Sequence, residues 1–218
     1  MPGRRMRLLT LDGIVDAAIA LVDEDGGFTM PDLAKRLGVS ASSIYHHVSG
    51  RAALVELIRA RVGGSIGDTV VVAGAAVDGD GADGWEEAVT AWLRAYRHAF
   101  ARHPRLIPLL TGQTVSAETT VAHYNRVARV LTRAGFRRDR VVPWISVLDS
   151  YALGSALDLA APTEVWATVS AVDDDLAAAV AEAPTGRARS DEAFELGLAA
   201  LVAGMRAELA AGVASARP

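Results

Sequence analysis

The sequence contains no cysteine and no long apolar run. Without cysteine, the chain cannot form disulfides, thiolate nucleophiles, or zinc and iron–sulfur sites that use cysteine ligands. No stretch approaches the roughly 18 consecutive apolar residues of a membrane-spanning helix, and the basic residues 1–7 lead into no long apolar segment. We therefore expect a soluble, cytoplasmic protein that contacts no membrane.

Catalytic and metal-binding motifs are also missing from the sequence. It has no nucleophile elbow, no phosphate-binding glycine loop and no HExxH helix. The alternation of apolar and polar residues that is typical of strands is scarce, and the run Val70 to Val72 has no strand partner nearby. We therefore expect no enzymatic activity, no cofactor, no bound metal and no sheet.

The composition is that of a folded protein with unevenly distributed charge. Of the 218 residues, 51% are apolar and 22% are charged, as in ordinary globular proteins. The net charge is −4, but residues 1–62 carry 8 basic and 7 acidic side chains, whereas residues 63–218 carry 14 and 19. This asymmetry favours a nucleic-acid-binding N-terminal end and an acidic remainder.

Helical periodicity dominates, and capping residues mark the ends of the predicted helices. In the N-terminal part we predict helices after Thr10, Thr29, Ser40 and Ser49, which end near Gly26, Gly38, His47 and Gly63, respectively. An exposed connection at 74–84 is followed by predicted helices over 85–100, 106–110, 116–134, 139–159, 163–182 and 191–211. The sequence therefore predicts an all-α protein with a boundary near residue 63.

The segment from Thr29 to Leu54 carries the pattern that indicates a function. Two short helices are separated by Gly38-Val39-Ser40, where Gly38 supplies the turn, and Ala34 is small where the helices must cross closely. Apolar residues of both helices can meet and fix the second helix at a steep angle. This is a helix-turn-helix arrangement, whose second helix enters the major groove of DNA.

On these residues, the chain resembles the TetR family of transcriptional regulators. The resemblance spans about residues 8–62 and is carried by Ile14–Ala18, Phe28–Met30, Leu33–Ser40 and Ser43–Leu54. The C-terminal part resembles the tetracycline-repressor-type domain of that family at His103-Pro104, Ala134–Phe136 and Phe194–Leu198. The resemblance implies a DNA-binding domain over residues 1–62, with a connecting helix that starts within 49–62, and a helical bundle over 63–218 for ligand binding and dimerisation.

The family also implies partners. Each head of a homodimer would bind half of a palindromic operator in double-stranded DNA, and a small apolar or aromatic effector in the C-terminal domain would release it. We expect a repressor; the alternative is a constitutive DNA-binding protein without an effector. A metal-chelate site like that of the tetracycline repressor is not expected, because His98 has no matching cluster.

Nine residues are expected to form the DNA-binding surface when the family's positions are carried over. They are Thr29, Ser40, Ala41, Ser42, Ser43, Tyr45, His46, His47 and Arg51. Phosphates would be contacted by Thr29, Ser43, Tyr45 and Arg51. The residues nearest base edges would be Ala41, Ser42, His46 and His47. The alternative for Tyr45 is that its ring packs against the helix and braces it. The alternative for the two histidines is that one packs inside the protein and the other faces solvent without contacting DNA.

Two features near this surface modify that expectation. Some relatives have an arginine early in the second helix, but this chain has Pro31-Asp32, so we expect no arginine–guanine contact from that position. The N-terminal arginines Arg4, Arg5 and Arg7 form either an arm that contacts DNA or a solvated tail.

Aromatic residues at helical spacing in the C-terminal part suggest a ligand pocket and a dimer interface. The ligand candidates are Trp92, Tyr96, Leu109, Gln113, Tyr124, Leu148 and Asp149, which combine apolar walls with a few polar groups. The interface candidates are Trp144, Tyr151, Ser155, Phe194, Leu198, Leu201 and Met205, on helix faces that could pair with their own copies. For both sets the alternative is that the residues form the subunit's own core.

Overall fold

A computed structural model describes residues 9–74, 84–164, 166 and 173–215, without the side chains of 65, 67–74 and 213–215. Over these residues the chain forms ten helices and no strand, which confirms the all-α fold. The helices are α1 (Leu11–Asp25), α2 (Met30–Leu37), α3 (Ala41–Tyr45), α4 (Arg51–Gly74), α5 (Trp85–Ala101), α6 (Leu106–Thr111), α7 (Glu118–Arg133), α8 (Arg138–Leu159), α9 (Asp174–Glu182) and α10 (Gly186–Ser215). Residues 75–83 of the predicted connection and the arginines Arg4, Arg5 and Arg7 lie outside the described residues. None of the described helices is long and apolar enough to cross a bilayer.

The first three helices begin where their capping residues predict, and α1 and α2 also end there. Helix α3 ends at Tyr45, two residues before the predicted end near His47. Thr10 accepts a hydrogen bond from the N–H of Gly13 at 3.1 Å, and Thr29 and Ser40 cap α2 and α3 in the same way. Gly26 and Gly38 end α1 and α2 in the left-handed conformation, with φ of 80° and 67°. These predictions are confirmed.

The predicted ends of α4 were wrong. The helix begins at Arg51, directly after Gly50 rather than Ser49, and it continues through Gly63 and Gly64 to Gly74. Each glycine costs a helix about 1 kcal/mol relative to alanine. Burial of Val62 and Ile66 on either side offsets this cost, since a fully buried apolar side chain contributes about 1.5–3 kcal/mol.

The last two helices also differ from the prediction. Thr163 and Glu164 are not helical, and α9 begins only at Asp174, where Asp173 accepts a hydrogen bond from the N–H of Asp175 at 3.2 Å. Residues 165 and 167–172 lie outside the described residues. Helix α10 starts at Gly186, five residues before the predicted start at 191.

The helices pack as two units. The N-terminal unit combines residues 1–67 with residues 103–124, and the C-terminal unit combines residues 68–102 with residues 125–218. The division therefore differs from a single boundary near residue 63, because α6 and the start of α7 pack with the N-terminal helices. Buried apolar side chains fill each unit, including Ile14, Val22, Leu33, Ile44, Leu54 and Ile58 in the first and Trp92, Leu93, Phe136, Leu148, Phe194 and Met205 in the second.

A close contact joins α8 and α10 in the C-terminal unit. The ring of Tyr151 stacks on that of Phe194, with centroids 5.6 Å apart, and the hydroxyl donates to the Phe194 carbonyl oxygen at 2.5 Å. Gly197 lies under this tyrosine, so that a Cβ atom there would come within 2.8 Å of two ring carbons and still closer to the hydroxyl oxygen. Only glycine fits this position without displacing the ring.

We expect Gly197→Ala to lower the free energy of unfolding by about 1–3 kcal/mol, as overpacking of a tight contact usually does. Gly64→Ala is the matched control, because its Cβ would meet nothing within 4 Å on the exposed side of α4. The free energy of unfolding of Gly64→Ala should instead increase by about 0.5–1 kcal/mol, because alanine favours a helix more than glycine does. Urea unfolding of both variants measures the difference, and equal stability of the two would contradict the contact.

Candidate nucleic-acid interface

Helices α2 and α3 form the helix-turn-helix that the sequence predicts. Leu33 of α2 and Ile44 of α3 are completely buried, and Ala34 is 6% exposed. The turn closes through a hydrogen bond from the N–H of Val39 to the carbonyl oxygen of Ala34 at 3.1 Å. Because Ile44 anchors one side of α3, the opposite side is held towards solvent.

The outward side of α3 and the residues that follow it carry most of the predicted DNA-contacting side chains. Ser42, His46 and His47 are exposed, and Tyr45 is 51% exposed. Ala41 and Ser43 are half-buried at the edge of this surface. The exposure of both histidines and of half of the tyrosine leaves these side chains accessible to a partner.

The serine hydroxyls at the start of α3 form one linked group. Ser40 Oγ lies 2.8 Å from the Oγ atoms of both Ser42 and Ser43, and it accepts a hydrogen bond from the N–H of Ser43 at 3.2 Å. A hydroxyl can donate and accept at once, so the group can still bond to phosphates or base edges.

The acidic residue at the start of α2 has a structural role. The Asp32 carboxylate accepts from the N–H of Thr29 at 3.3 Å, and the N–H of Asp32 donates to the Thr29 hydroxyl at 3.2 Å. Together with Pro31 in the first turn, this is a complete capping box. Asp32 therefore stabilises the helix that positions α3.

Arg51 at the start of α4 is exposed but held in place. Its Nε donates to the carbonyl oxygen of Phe28 at 3.3 Å, and its guanidinium lies 5.2 Å from the centre of the Phe28 ring. These contacts hold the guanidinium through its Nε, while the residue as a whole stays exposed, as a phosphate-binding residue requires.

Other arginines of the N-terminal unit are neutralised by carboxylates. Arg36 forms two hydrogen bonds of 2.6 Å with Glu24, and this pairing lowers the pKa of the Glu24 carboxyl. Arg61 bonds to both Asp12 and Asp16. No lysine or arginine occurs between Ser40 and Ser49, so α3 itself offers no permanent positive charge to DNA.

A buried ion pair on α4, which the sequence analysis missed, ties α4 to the connection between α6 and α7. Glu56 accepts hydrogen bonds from the N–H groups of Ser116 and Ala117 at 2.7 and 2.8 Å and from Arg59 Nε at 2.9 Å. Arg59 also donates to the carbonyl oxygen of Leu110 at 2.7 Å. The sequence did contain one sign of this ion pair, because Glu56 and Arg59 have opposite charges and lie three residues apart on the apolar face of a predicted helix.

The candidate ligand residues are divided between the two units. Leu109, Gln113 and Tyr124 belong to the N-terminal unit, where Gln113 lines a cavity of about 1020 Å³ beside α4. The residues of the C-terminal unit are Trp92, Tyr96, Leu148 and Asp149. Trp92 is 1% exposed, stacks on Tyr96, and belongs to the core of that unit, as does Leu148.

The candidate interface residues differ in exposure within the single chain. Phe194, Leu198 and Met205 are at most 3% exposed and belong to the core of the C-terminal unit. Trp144, Tyr151, Ser155 and Leu201 are half-buried. Apolar residues that do face solvent on α8 and α10 are Val142, Val147, Leu157 and Leu196.

Within the described residues, no group of three or more histidine, aspartate or glutamate side chains could hold a metal ion.

The comparisons with known proteins concern both parts of the chain. Residues 14–58 match the family model of bacterial regulatory proteins of the tetR family, and residues 79–209 match that of the tetracyclin repressor-like C-terminal domain.

Two relatives from other bacteria have similar sequences. An HTH-type transcriptional regulator of Saccharopolyspora erythraea is 29% identical, and the match covers 94% of this chain and 87% of the relative. The HTH-type transcriptional repressor DrrR1 of Streptomyces coeruleorubidus is 28% identical over 68% of this chain. The match spans only about half, 53%, of the length of that repressor.

Solved structures share the fold. ActR of Streptomyces coelicolor in complex with actinorhodin has a TM-score of 0.65 at 20% identity, with 93% of this chain and 99% of the other covered. BioQ with its natural double-stranded DNA operator has a TM-score of 0.59 at 21% identity, with 91% and 99% covered.

Proposed function

The chain belongs to the tetR family of bacterial regulatory proteins, and we propose that it is a homodimeric repressor that a small molecule releases from a palindromic operator. The observation that carries this proposal is the helix-turn-helix, in which buried Ile44 fixes α3 with Ser42, Tyr45 and His46 exposed. The fold is also that of a protein solved on its DNA operator and of another solved with a small molecule. One relative is named a transcriptional repressor.

In the proposed complex, α3 lies in the major groove. Ala41, Ser42, His46 and His47 lie nearest base edges, because small, hydroxyl and imidazole groups can approach them closely. Phosphates are contacted by Thr29, Ser43, Tyr45 and Arg51, while Ser40 caps the helix.

The proposed dimer forms through the outer sides of α8 and α10. Val142 and Leu196 are 68% and 73% exposed, and exposed apolar residues that form one patch are typical of protein–protein contacts. Small exposed residues of α10, such as Ala199 and Ala203, allow two helices to approach closely. Sedimentation at micromolar concentration should show a dimer; a monomer alone would contradict this surface.

The direct test of the proposed function is selection of duplexes from randomised DNA, followed by fluorescence anisotropy with the selected sequence. We expect a site with two related half-sites and nanomolar or tighter affinity, as is common for specific DNA binding. Small molecules are then titrated into the complex. Release by an effector supports a regulated repressor, whereas a complex that no tested molecule releases supports constitutive binding.

Arg51→Ala should weaken binding to all sequences alike, because the guanidinium contacts phosphate. The slope of log affinity against log salt should become shallower by about one unit. Arg51→Lys retains the charge and is the control, for which the slope should stay unchanged. A loss confined to one operator sequence would instead show that Arg51 contacts a base.

A further inference from the structure

A cavity of about 340 Å³ in the C-terminal unit is lined by three arginines. Arg94 and Arg97 come from α5, and Arg187 comes from the first turn of α10. Phe194 and Leu159 supply apolar wall. The volume lies at the lower end of the range for small-molecule sites, about 300–1000 Å³.

The charges around this cavity do not balance. Arg94 is matched to Glu195 by two hydrogen bonds of 2.9 and 2.6 Å. Asp191 serves both remaining arginines, since its Oδ1 lies 2.7 Å from Arg97 Nη1 and its Oδ2 lies 3.4 Å from Arg187 Nε. Three arginines therefore face two carboxylates, which leaves one positive charge in excess.

One of the three arginines, Arg97, is buried and does not use all of its hydrogen-bond donors. Arg97 is only 8% exposed, and its guanidinium lies 4.6 Å from the centre of the Phe194 ring. Its Nη2 donates to Ser190 Oγ at 2.9 Å, but its Nε has no hydrogen-bond partner among the described residues. A buried cation with an unsatisfied N–H is costly, and a bound acceptor would relieve that cost.

We propose that this cavity binds the carboxylate of a small organic acid. The carboxylate lies between Arg97 and Arg187, because the planar guanidinium matches its geometry and two such groups compete for a single aspartate. The apolar body of the acid lies against Phe194 and Leu159. The chain as a whole carries a net charge of −4, so a local excess of positive charge here does not follow from a basic composition.

This ligand is a candidate for the effector, and that part of the inference rests on the proposed function. Binding of the acid to the cavity does not depend on the proposed function, because the cavity is lined by none of the candidate DNA-contacting residues. The two parts can therefore fail separately.

The test uses 2-naphthoate as the probe and 2-naphthamide as its neutral counterpart, each titrated calorimetrically into the full chain. We expect the acid to bind and the amide to bind at least about tenfold more weakly, since charge-assisted bonds to arginine are lost. Arg187→Gln should weaken binding of the acid to a similar degree. This variant removes a largely exposed side chain and should fold normally.

Arg137→Gln is the matched control, because Arg137 is equally exposed and pairs with Asp139 on another part of the unit. It should leave binding unchanged. Equal binding of acid and amide, or equal loss in the two variants, would overturn the proposed site. Binding of the acid that leaves the operator complex intact would uphold the site and contradict its role as the effector site.

Discussion

Replacement of Glu56 by alanine should lower the free energy of unfolding by about 3 kcal/mol, because it leaves the buried Arg59 guanidinium without its carboxylate. It also removes the acceptor of the Ser116 and Ala117 N–H groups. The two residues directly before α7 would lose this acceptor, and the link between α4 and the α6–α7 connection would weaken. Urea unfolding measures the loss.

Glu86→Ala is the matched control for this prediction. Glu86 also forms two hydrogen bonds with an arginine, Arg206, at 2.9 and 2.6 Å, but the side chains are 39% and 62% exposed. Exposed pairs contribute about 0–1 kcal/mol, so this variant should be nearly as stable as the unsubstituted protein. Equal losses in the two variants would show that burial of the Glu56 pair has no special effect.

The same carboxylate predicts how stability changes with pH. Burial alone would raise the pKa of Glu56, but hydrogen bonds from Ser116, Ala117 and Arg59 outweigh burial and lower the pKa below its usual value. The ordinary pKa of a glutamate is about 4.3, and at pH values above it the ionised Glu56 carboxylate stabilises the folded protein. This stabilisation is lost as pH falls through the lower pKa of the folded state. The stability difference between the unsubstituted protein and Glu56→Gln should therefore shrink on acidification below about pH 4.

Ser42→Glu should weaken operator binding by about 100-fold or more, which corresponds to about 3 kcal/mol. Ser42 is exposed on α3, and a carboxylate there would face the negative DNA at short range. Anisotropy with the selected operator measures the loss. Thermal unfolding should be nearly unchanged, since surface substitutions usually alter stability by less than about 0.5 kcal/mol.

Ala181→Glu controls for the change in net charge, because Ala181 is exposed on α9, in the other unit. It should leave operator affinity within about twofold of the unsubstituted protein, since exposed charges at long range are screened. A similar loss in both variants would mean that overall charge, and not contact by α3, decides binding.

Local sequence signals predicted the starts of α1, α2 and α3 well because the caps of these helices are local. Thr10, Thr29 and Ser40 each bond to an N–H three residues further along. The start of α7 could not be predicted in this way. Its predicted start was Ser116, but the helix begins at Glu118. The N–H groups of Ser116 and Ala117, directly before the helix, donate to Glu56, which lies 60 residues before Ser116.

The interface and ligand candidates show a second limit of sequence reasoning. Helical spacing reveals that a face is apolar, but it does not reveal what covers that face. Phe194 is covered by Tyr151 and Arg97 of its own chain, whereas Val142 and Leu196 remain exposed. The pairing of Arg97 with Asp191 joins residues 94 positions apart, which no local pattern indicates.

The central claim is that α3 of each of two copies occupies the major groove of one operator. Chemical footprinting of the selected duplex by the unsubstituted protein tests it most directly. The account predicts two protected half-sites related by twofold symmetry, with centres separated by about one helical turn of DNA, roughly 10 base pairs, or by a multiple of it. A single protected segment, or protection confined to the minor groove, would contradict the account.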